Sequence, residues 1–367
     1  MKRHMKRLTG AAGLMLWLGG GAGAQDTRAS FTSGTATAAR GQKTLGVLKV
    51  PAGSDAATDI GVAVINGARP GPVLAVVSGA HGTEYASILA VEELIGAVDP
   101  AQLSGTLILV PLVNVASFER LVPHVNPVDN KSMNRFYPGT MSGTQTERAS
   151  YVITKEVVEK CDHLIDLHGG DLDENLRPYS YWTVTGRPQQ DDFSRDMVLA
   201  FGLDHIIISA DRPKDPSQSR YLENTASTRG KPSFTAEAGR SGPVDAKDVA
   251  VLVQGVKNVM GHLKMTSARP VAVKNPVWLE RVITIASDQD GMFHPAVDRD
   301  AHVTKGAKIG SVTDYLNRPL KEIIAPEAGI ITFIRAVPSL KKGDTVVSIG
   351  VIKKYKRLRL GVGPKPL

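Results

Sequence analysis

The stretch Ser78-Gly79-Ala80-His81-Gly82-Thr83-Glu84 decides how the rest of the chain reads. It follows the apolar run Val73-Leu74-Ala75-Val76-Val77, which has the length and composition of a buried strand. An apolar helical segment comes next, Ala86 to Ile95, with Ile88, Leu89, Val91, Leu94 and Ile95 on its core side. His81 and Glu84 therefore stand where a strand hands over to a helix, the usual place for a site in an open α/β sheet. An imidazole nitrogen and a carboxylate oxygen three residues apart can turn to one cation, and zinc accepts both. The pair alone is more often a helix cap with a solvated charge.

A second stretch adds weight. His163-Leu164-Ile165-Asp166-Leu167-His168 is strand-like and delivers His168 to the Gly169-Gly170 exit. Two histidines and a glutamate at strand exits form a set of three protein ligands, the number that leaves a catalytic zinc site one open position. A third strand, Ser233-Phe234-Thr235-Ala236, ends at Glu237-Ala238-Gly239. A carboxylate there can serve as general base for metal-activated water.

At these residues the chain resembles the succinylglutamate desuccinylase/aspartoacylase family, a branch of the zinc-carboxypeptidase clan. The resemblance rests on His81-Gly82-Thr83-Glu84, Asn134-Arg135-Phe136-Tyr137-Pro138-Gly139, Asp166-Leu167-His168 and Glu237-Ala238-Gly239, in that order, and spans roughly residues 40 to 350. It implies one Zn²⁺ on His81, Glu84 and His168, with Glu237 as catalytic base. It also implies that Asn134 and Arg135 hold a substrate carboxylate. From the residues alone, Arg135 reads more readily as a surface arginine paired with an acid such as Asp129; the resemblance reverses that order. The family's upstream arginine, which polarises the scissile carbonyl, falls on His124 here, and Arg120 is the other nearby candidate. An ordinary histidine is fully charged only below about pH 6.5. Asp166 is read either as an acid that orients a ligand or as a plain strand-end acid.

The remaining segments organise around this site. Of 367 residues, 42% are apolar and 22% charged, an ordinary globular composition with room for two domains. The single cysteine, Cys161, sits in an apolar run and reads as a buried, inert thiol, and a multi-cysteine zinc cluster is excluded. Residues 1–24 read as a signal peptide: a basic head (Lys2, Arg3, Lys6, Arg7), a short apolar core and Ala22-Gly23-Ala24 before the expected cleavage point. A periplasmic or secreted protein is the expectation. The net charge is +8, and removing residues 1–24, with four basic and no acidic residues, leaves +4. Residues 353–367 form a basic tail suited to anionic surfaces. With 5% aromatics and no recognition motif, nucleic-acid binding is not expected. No stretch of the mature chain is long and apolar enough to cross a membrane. A homo-oligomer is compatible with the sequence.

Residues 25–42, rich in Ser, Thr, Gly and Ala, suggest a flexible lead-in. Strands alternating with helices over 43–266 predict an α/β catalytic domain, a mostly parallel mixed sheet with helices on both faces. Asn114 to Gly143 reads as a long functional loop and Asp211 to Arg229 as a polar loop on one wall of the pocket. The aromatic patch Pro178-Tyr179-Ser180-Tyr181-Trp182 suits a pocket lining or sheet packing. Residues 267–352 read as a small all-β domain of Lys-Gly turns and short strands, resembling the barrel-sandwich fold of biotinyl and lipoyl domains. The carrier lysine between two methionines is missing, so a structural or pocket-capping module is expected. The activity expected is hydrolysis of an amide bond in an N-acyl amino acid or similar small carboxylate-bearing substrate. The alternatives are an exported metallocarboxypeptidase for short or cell-wall peptides and a non-catalytic binding protein of the same fold.

Overall fold

A computed structural model describes residues 28–270 and 272–353. The leader expected over 1–24 and the basic tail beyond Lys353 lie outside the described residues. Among those described, no helix is long and apolar enough to cross a membrane.

The chain starts with a hairpin, β1 (Ser30–Ser33) and β2 (Ala36–Ala39), where the sequence suggested a flexible lead-in. The reason is period-two burial: Phe31, Ser33, Ala36 and Ala38 face inward. The Glu156 carboxylate accepts from the Gly34 amide at 2.7 Å and pins the turn. Next come β3 (Gln42–Val50), β4 (Thr58–Asn66) and β5 (Arg69–Ser78), then α1 (Tyr85–Ala97), β6 (Ser104–Val110), α2 (Val115–Arg120) and α3 (Gln145–Ile153). The chain continues through β7 (His163–His168), β8 (Glu174–Leu176), β9 (Tyr179–Thr183), α4 (Pro188–Phe201), β10 (His205–Ser209), α5 (Leu222–Thr228), β11 (Ser233–Glu237) and α6 (Ala246–His262). Two stretches read as loops prove partly helical. Asn114–Gly143 holds α2 and a 3-10 turn at Met133–Arg135, and Asp211–Arg229 holds α5, whose Leu222 and Ala226 are buried against the core.

The sheet is mixed. Its middle strands are parallel neighbours (β10 with β9, β11 with β7, β7 with β5, β5 with β6), while β9 and β11 run antiparallel. β4 and β3 extend one flank antiparallel. Strand alternation separates two cores. In β5, Leu74 and Val76 face α1 and α6, whereas Val73, Ala75 and Val77 face the side of α3 and α5.

The C-terminal region is β-rich: β12 (Val277–Ala286), β13 (Gly291–Pro295), β14 (His302–Val303), β15 (Lys308–Thr313), β16 (Pro319–Ile324), β17 (Gly329–Arg335), β18 (Ser339–Leu340) and β19 (Thr345–Ile352). It has its own core around Phe293, Ile309 and Val347. It is also joined to the first domain by backbone pairing. β12 lies parallel to β10, then β19, β17 and β14 follow, so one sheet of 13 strands crosses both regions. β8 pairs with β17 from the other direction.

Candidate active site

Register and alternation assemble the site. On β7 the side chains of Leu164, Asp166 and His168 share one face, and Leu164 packs in the α3/α5 core. On β11, Phe234 and Ala236 turn to the opposite core, which puts Thr235 and Glu237 on that same site face. The two strands are paired with Glu237 opposite His168 and Thr235 opposite Asp166. Backbone pairing thus sets the predicted base beside the predicted ligand. Beyond β5 the chain bends sharply at Gly79, with φ +69° and a would-be Cβ only 2.9 Å from the Leu112 Cα, so glycine alone fits. That bend delivers His81 and Glu84 to the end of β7. Gly169 keeps the exits of β7 and β11 together, since a Cβ there would stand 2.5 Å from the Ala238 carbonyl oxygen.

Glu84, 3% exposed, is the centre. One carboxylate oxygen lies 2.6 Å from His81 Nδ1, the other 2.9 Å from His168 Nδ1, and the Gly169 amide donates to it at 3.0 Å. One ligand atom from each of the three residues lies within 4.8 Å of the others. Burial pushes the Glu84 carboxyl up, but the imidazoles of His168 and His81 outweigh it and hold it down to about 2. Burial would lower the His168 pKa, yet the Glu84 and Asp166 carboxylates raise it well above normal. These are two soft nitrogens and a carboxylate aimed at one point, a donor set that suits a zinc-sized cation.

The distal nitrogen of His168 also has partners. Asp166 Oδ1 lies 3.3 Å away and the Asn134 amide 2.8 Å away. Asn134 Oδ1 has no partner although the residue is 9% exposed. With the amide turned end for end, that oxygen would accept from Nε2–H and fix the ring so that Nδ1 faces the shared carboxylate.

A cleft of about 840 Å³ opens at these residues. Tyr179, on the neighbouring strand, donates its hydroxyl to Glu237 at 2.9 Å. Burial pushes the Glu237 carboxyl up to about 7; His168 opposes and the Glu84 carboxylate adds to it. Arg135 lines the cleft, donates to the Asn134 carbonyl at 2.6 Å and lies 5.0 Å from the Tyr221 ring. Among the described residues no carboxylate pairs with it; Asp129 instead caps the start of α3 at Thr146.

Two sequence expectations fail. Arg120 ends α2 on the exposed surface and does not line the cleft. His124 does not line it either. It sits in the left-handed backbone region at φ +63°, its Nε2 2.8 Å from Asp173 and its Nδ1 3.3 Å from Asp171. Both nitrogens are engaged by carboxylates, so neither is free for an oxyanion. Burial would lower its pKa, but the Asp173 hydrogen bond and the Asp171 and Glu174 charges raise it to about 9. His124 is therefore a charged strut behind His81, 6.2 Å away ring to ring.

The structure adds residues that the sequence did not single out. Arg212 lies 3.9 Å from the Tyr221 ring, with Nε 3.2 Å from the buried Glu223 carboxylate. Glu174 lines the cleft, and its only side-chain hydrogen bond is accepted from the Asp171 amide at 3.0 Å. The C-terminal strands supply a wall that includes Arg281, Thr284, Thr332 and Ser348. Of the aromatic patch, Tyr179 and Tyr181 line the cleft, while Trp182 packs on Trp278. The sequence carried a signal for two of these walls, the aromatic patch and the polar Asp211–Arg229 stretch.

Taken together, a cleft at strand exits, three residues that could hold a cation and an adjacent carboxylate of raised pKa make up the candidate site of an α/β protein. Residues 70–263 match the succinylglutamate desuccinylase/aspartoacylase catalytic domain, and the chain belongs to that family. It is 24% identical over 317 residues to the N-alpha-acetyl-L-2,4-diaminobutyric acid deacetylase of Halomonas elongata, covering 84% of this chain and 91% of that one. The product-bound ectoine utilization protein EutE (DoeB) of Ruegeria pomeroyi superposes with a TM-score of 0.76 at 25% identity, over 84% of this chain and 95% of that one. A succinylglutamate desuccinylase from Silicibacter sp. TM1040 superposes with a TM-score of 0.75 at 23% identity, over 85% and 95% of the two chains. Family members act as amide-cleaving deacylases, which makes this chain an enzyme of that class.

Proposed function

We propose that the protein is a zinc-dependent deacylase that hydrolyses the amide bond of an N-acyl amino acid, and that it works outside the cytoplasm. The observation that carries the reading is the convergence of His81, Glu84 and His168 beside Glu237. His81, Glu84 and His168 would hold the ion, which supplies Lewis acidity toward a carbonyl and toward water. Glu237 takes a proton from the attacking water and returns it to the leaving amine. Its raised pKa, about 7, suits a group that both accepts and donates near neutrality. Tyr179 holds the Glu237 carboxylate in one orientation through its hydroxyl. Arg135 receives the substrate carboxylate and sets the register of the amide along the cleft. The basic head and short apolar core of residues 1–24 support export.

Activity profiling of the zinc-loaded protein against N-acetyl amino acids, reading released amine, tests the function. Turnover should disappear with His81→Ala together with the bound zinc. Full zinc retention in His81→Ala and His168→Ala, or no turnover of any acyl amino acid by the wild type, would sink the reading. N-terminal sequencing of the protein from its producing cell tests export; an intact Met1 would refute it.

A further inference from the structure

The two segments that carry His81, Glu84 and His168 part company just before the site. β5 and β7 are paired up to Ser78 and Leu167, and past that pair no backbone hydrogen bond joins residues 79–84 to residues 168–171 among those described. Two side-chain links span the gap. The inner one is Glu84 itself, bonded to the His168 ring and to the Gly169 amide. The outer one is a hydrogen bond from the Thr83 hydroxyl to Asp171. Thr83 stands between His81 and Glu84, and Asp171 lies three residues past His168. Both are 0% exposed. Asp171 Oδ1 also accepts from the Leu172 amide at 2.7 Å, and Oδ2 accepts from the His124 amide at 2.8 Å. The Gly82 amide donates instead to Ser117 on α2, which ties the turn to a different element.

We propose that Asp171 is a positioning residue for the metal: through the Thr83 hydroxyl it holds the two exits at the spacing that brings His81, Glu84 and His168 together, and so sets the affinity for zinc. The inference rests on the reading of those three residues as ligands. The inner link cannot serve alone. An imidazole nitrogen that gives its lone pair to a cation keeps no proton to donate, so one Nδ1 atom cannot ligate and hold Glu84 at once. The outer link uses no ligand atom and is the same in either case. A carboxylate taken wholly out of water is costly unless its hydrogen bonds are made, and Asp171 makes them to both the Thr83 turn and its own loop. Bonds of this kind, one step behind the ligands, orient them and raise metal affinity. Neither Thr83 nor Asp171 lines the cleft, so neither is placed to touch substrate.

The test is the zinc affinity of the full-length protein at pH 7, read by competition with a chromophoric chelator. Thr83→Val keeps the shape and removes the hydroxyl, and should weaken zinc about 10–100-fold, the usual worth of such a partner. Thr83→Ser restores the donor and should bind within about threefold of wild type. Asp171→Ala should lose at least as much as Thr83→Val, and adding Thr83→Val to it should cost less than about threefold more, because the hydroxyl has already lost its acceptor. Arg335→Met, which weakens the C-terminal side without touching this link, should keep wild-type affinity. The proposal is overturned if Thr83→Val binds zinc like wild type, if Thr83→Ser loses as much as Thr83→Val, if the two losses multiply in the double variant, or if Arg335→Met loses as much, since affinity would then only follow stability. Should Asp171→Ala fail to fold, the two Thr83 variants decide. A wild-type protein that binds no zinc would fell the metal reading instead. The link is then judged by hydrogen exchange in the metal-free protein: Thr83→Val, but not Thr83→Ser, should speed exchange of the Gly169 amide about tenfold, and equal rates in all three proteins would overturn it.

Discussion

Replacing Arg335 by Met should weaken the protein and its cleft at once. Arg335 sits at the end of β17 and is 9% exposed. Its guanidinium bridges Asp173 at 3.2 Å and Asp344 at 2.9 Å, and its Nε donates to the Ser339 carbonyl at 2.6 Å. Asp173 in turn holds His124, and β8, which carries Glu174, pairs with β17. Removing one member of a fully buried ion pair costs about 3–5 kcal/mol. The partners here keep 21% and 33% of their side-chain surface exposed, so water offsets part of the loss. Methionine replaces the aliphatic stem, so little packing is lost. The expected destabilisation is about 2–3 kcal/mol, read as a shift of the urea midpoint at constant slope for the zinc-loaded protein at pH 7. KM should rise more than kcat falls, because the strand carrying Glu174 loosens while His81, Glu84 and His168 stay in place. The effect should also shrink in acid. Burial pushes the Asp173 carboxyl up, but His124 and Arg335 hold its folded pKa below normal. The stability it contributes is therefore complete above the unfolded carboxylate value and fades as pH falls below about 4. A midpoint within about 0.5 kcal/mol of wild type, typical of a neutral surface change, would show that the network carries no stability and refute the reasoning.

Glu237→Gln should lower kcat by about 10²–10⁴-fold, the usual worth of general base catalysis, with zinc content unchanged by metal analysis; loss of the metal would make Glu237 a ligand instead. Arg120→Ala should leave kcat/KM within about twofold, since the side chain is exposed outside the cleft; a large loss would return Arg120 to the site. Cys161 is buried and its thiol is pushed up to about 12, chiefly by that burial. Iodoacetamide at pH 8 should leave it unlabelled in the native protein and modify it after denaturation, as mass spectrometry would show.

The parts of the site that the sequence revealed are those governed by strand geometry. His168 and Glu237 are legible because each ends an apolar run, and period-two alternation then fixes the face. The backbone register that places them opposite one another follows from pairing β7 with β11, a contact between segments about 70 residues apart that no local pattern encodes. Glu174 is hidden because it opens a strand of three residues, too short to show a period, and Arg212 because it is one charge in a stretch legible only as polar. His124 was assigned by chain position, and its role changed once Asp171 and Asp173, from the loop after β7, were seen to take both nitrogens. The hairpin β1–β2 is hidden because three of its four inward residues, Ser33, Ala36 and Ala38, are small and give no apolar alternation around Phe31. The sequence sets residues 267–352 apart by their short strands and Gly turns, yet β12 pairs with β10, a join that depends on backbone hydrogen bonds and leaves little trace in side chains.

That join has a consequence for the order in which the molecule can be made. β12 lies between β10, finished long before, and β19, which ends at Ile352 near the close of the 367-residue chain. During synthesis, β10 and then β12 must wait with a bare, hydrogen-bonding edge, the kind of surface that captures other chains. The wall of the cleft opposite His81 is complete only when the last strand is laid down. Loss of β19, Thr345–Ile352, would thus remove both the protection of that edge and part of the cleft wall. Pairing of β19 with β12 is therefore the step that closes both the sheet edge and the cleft.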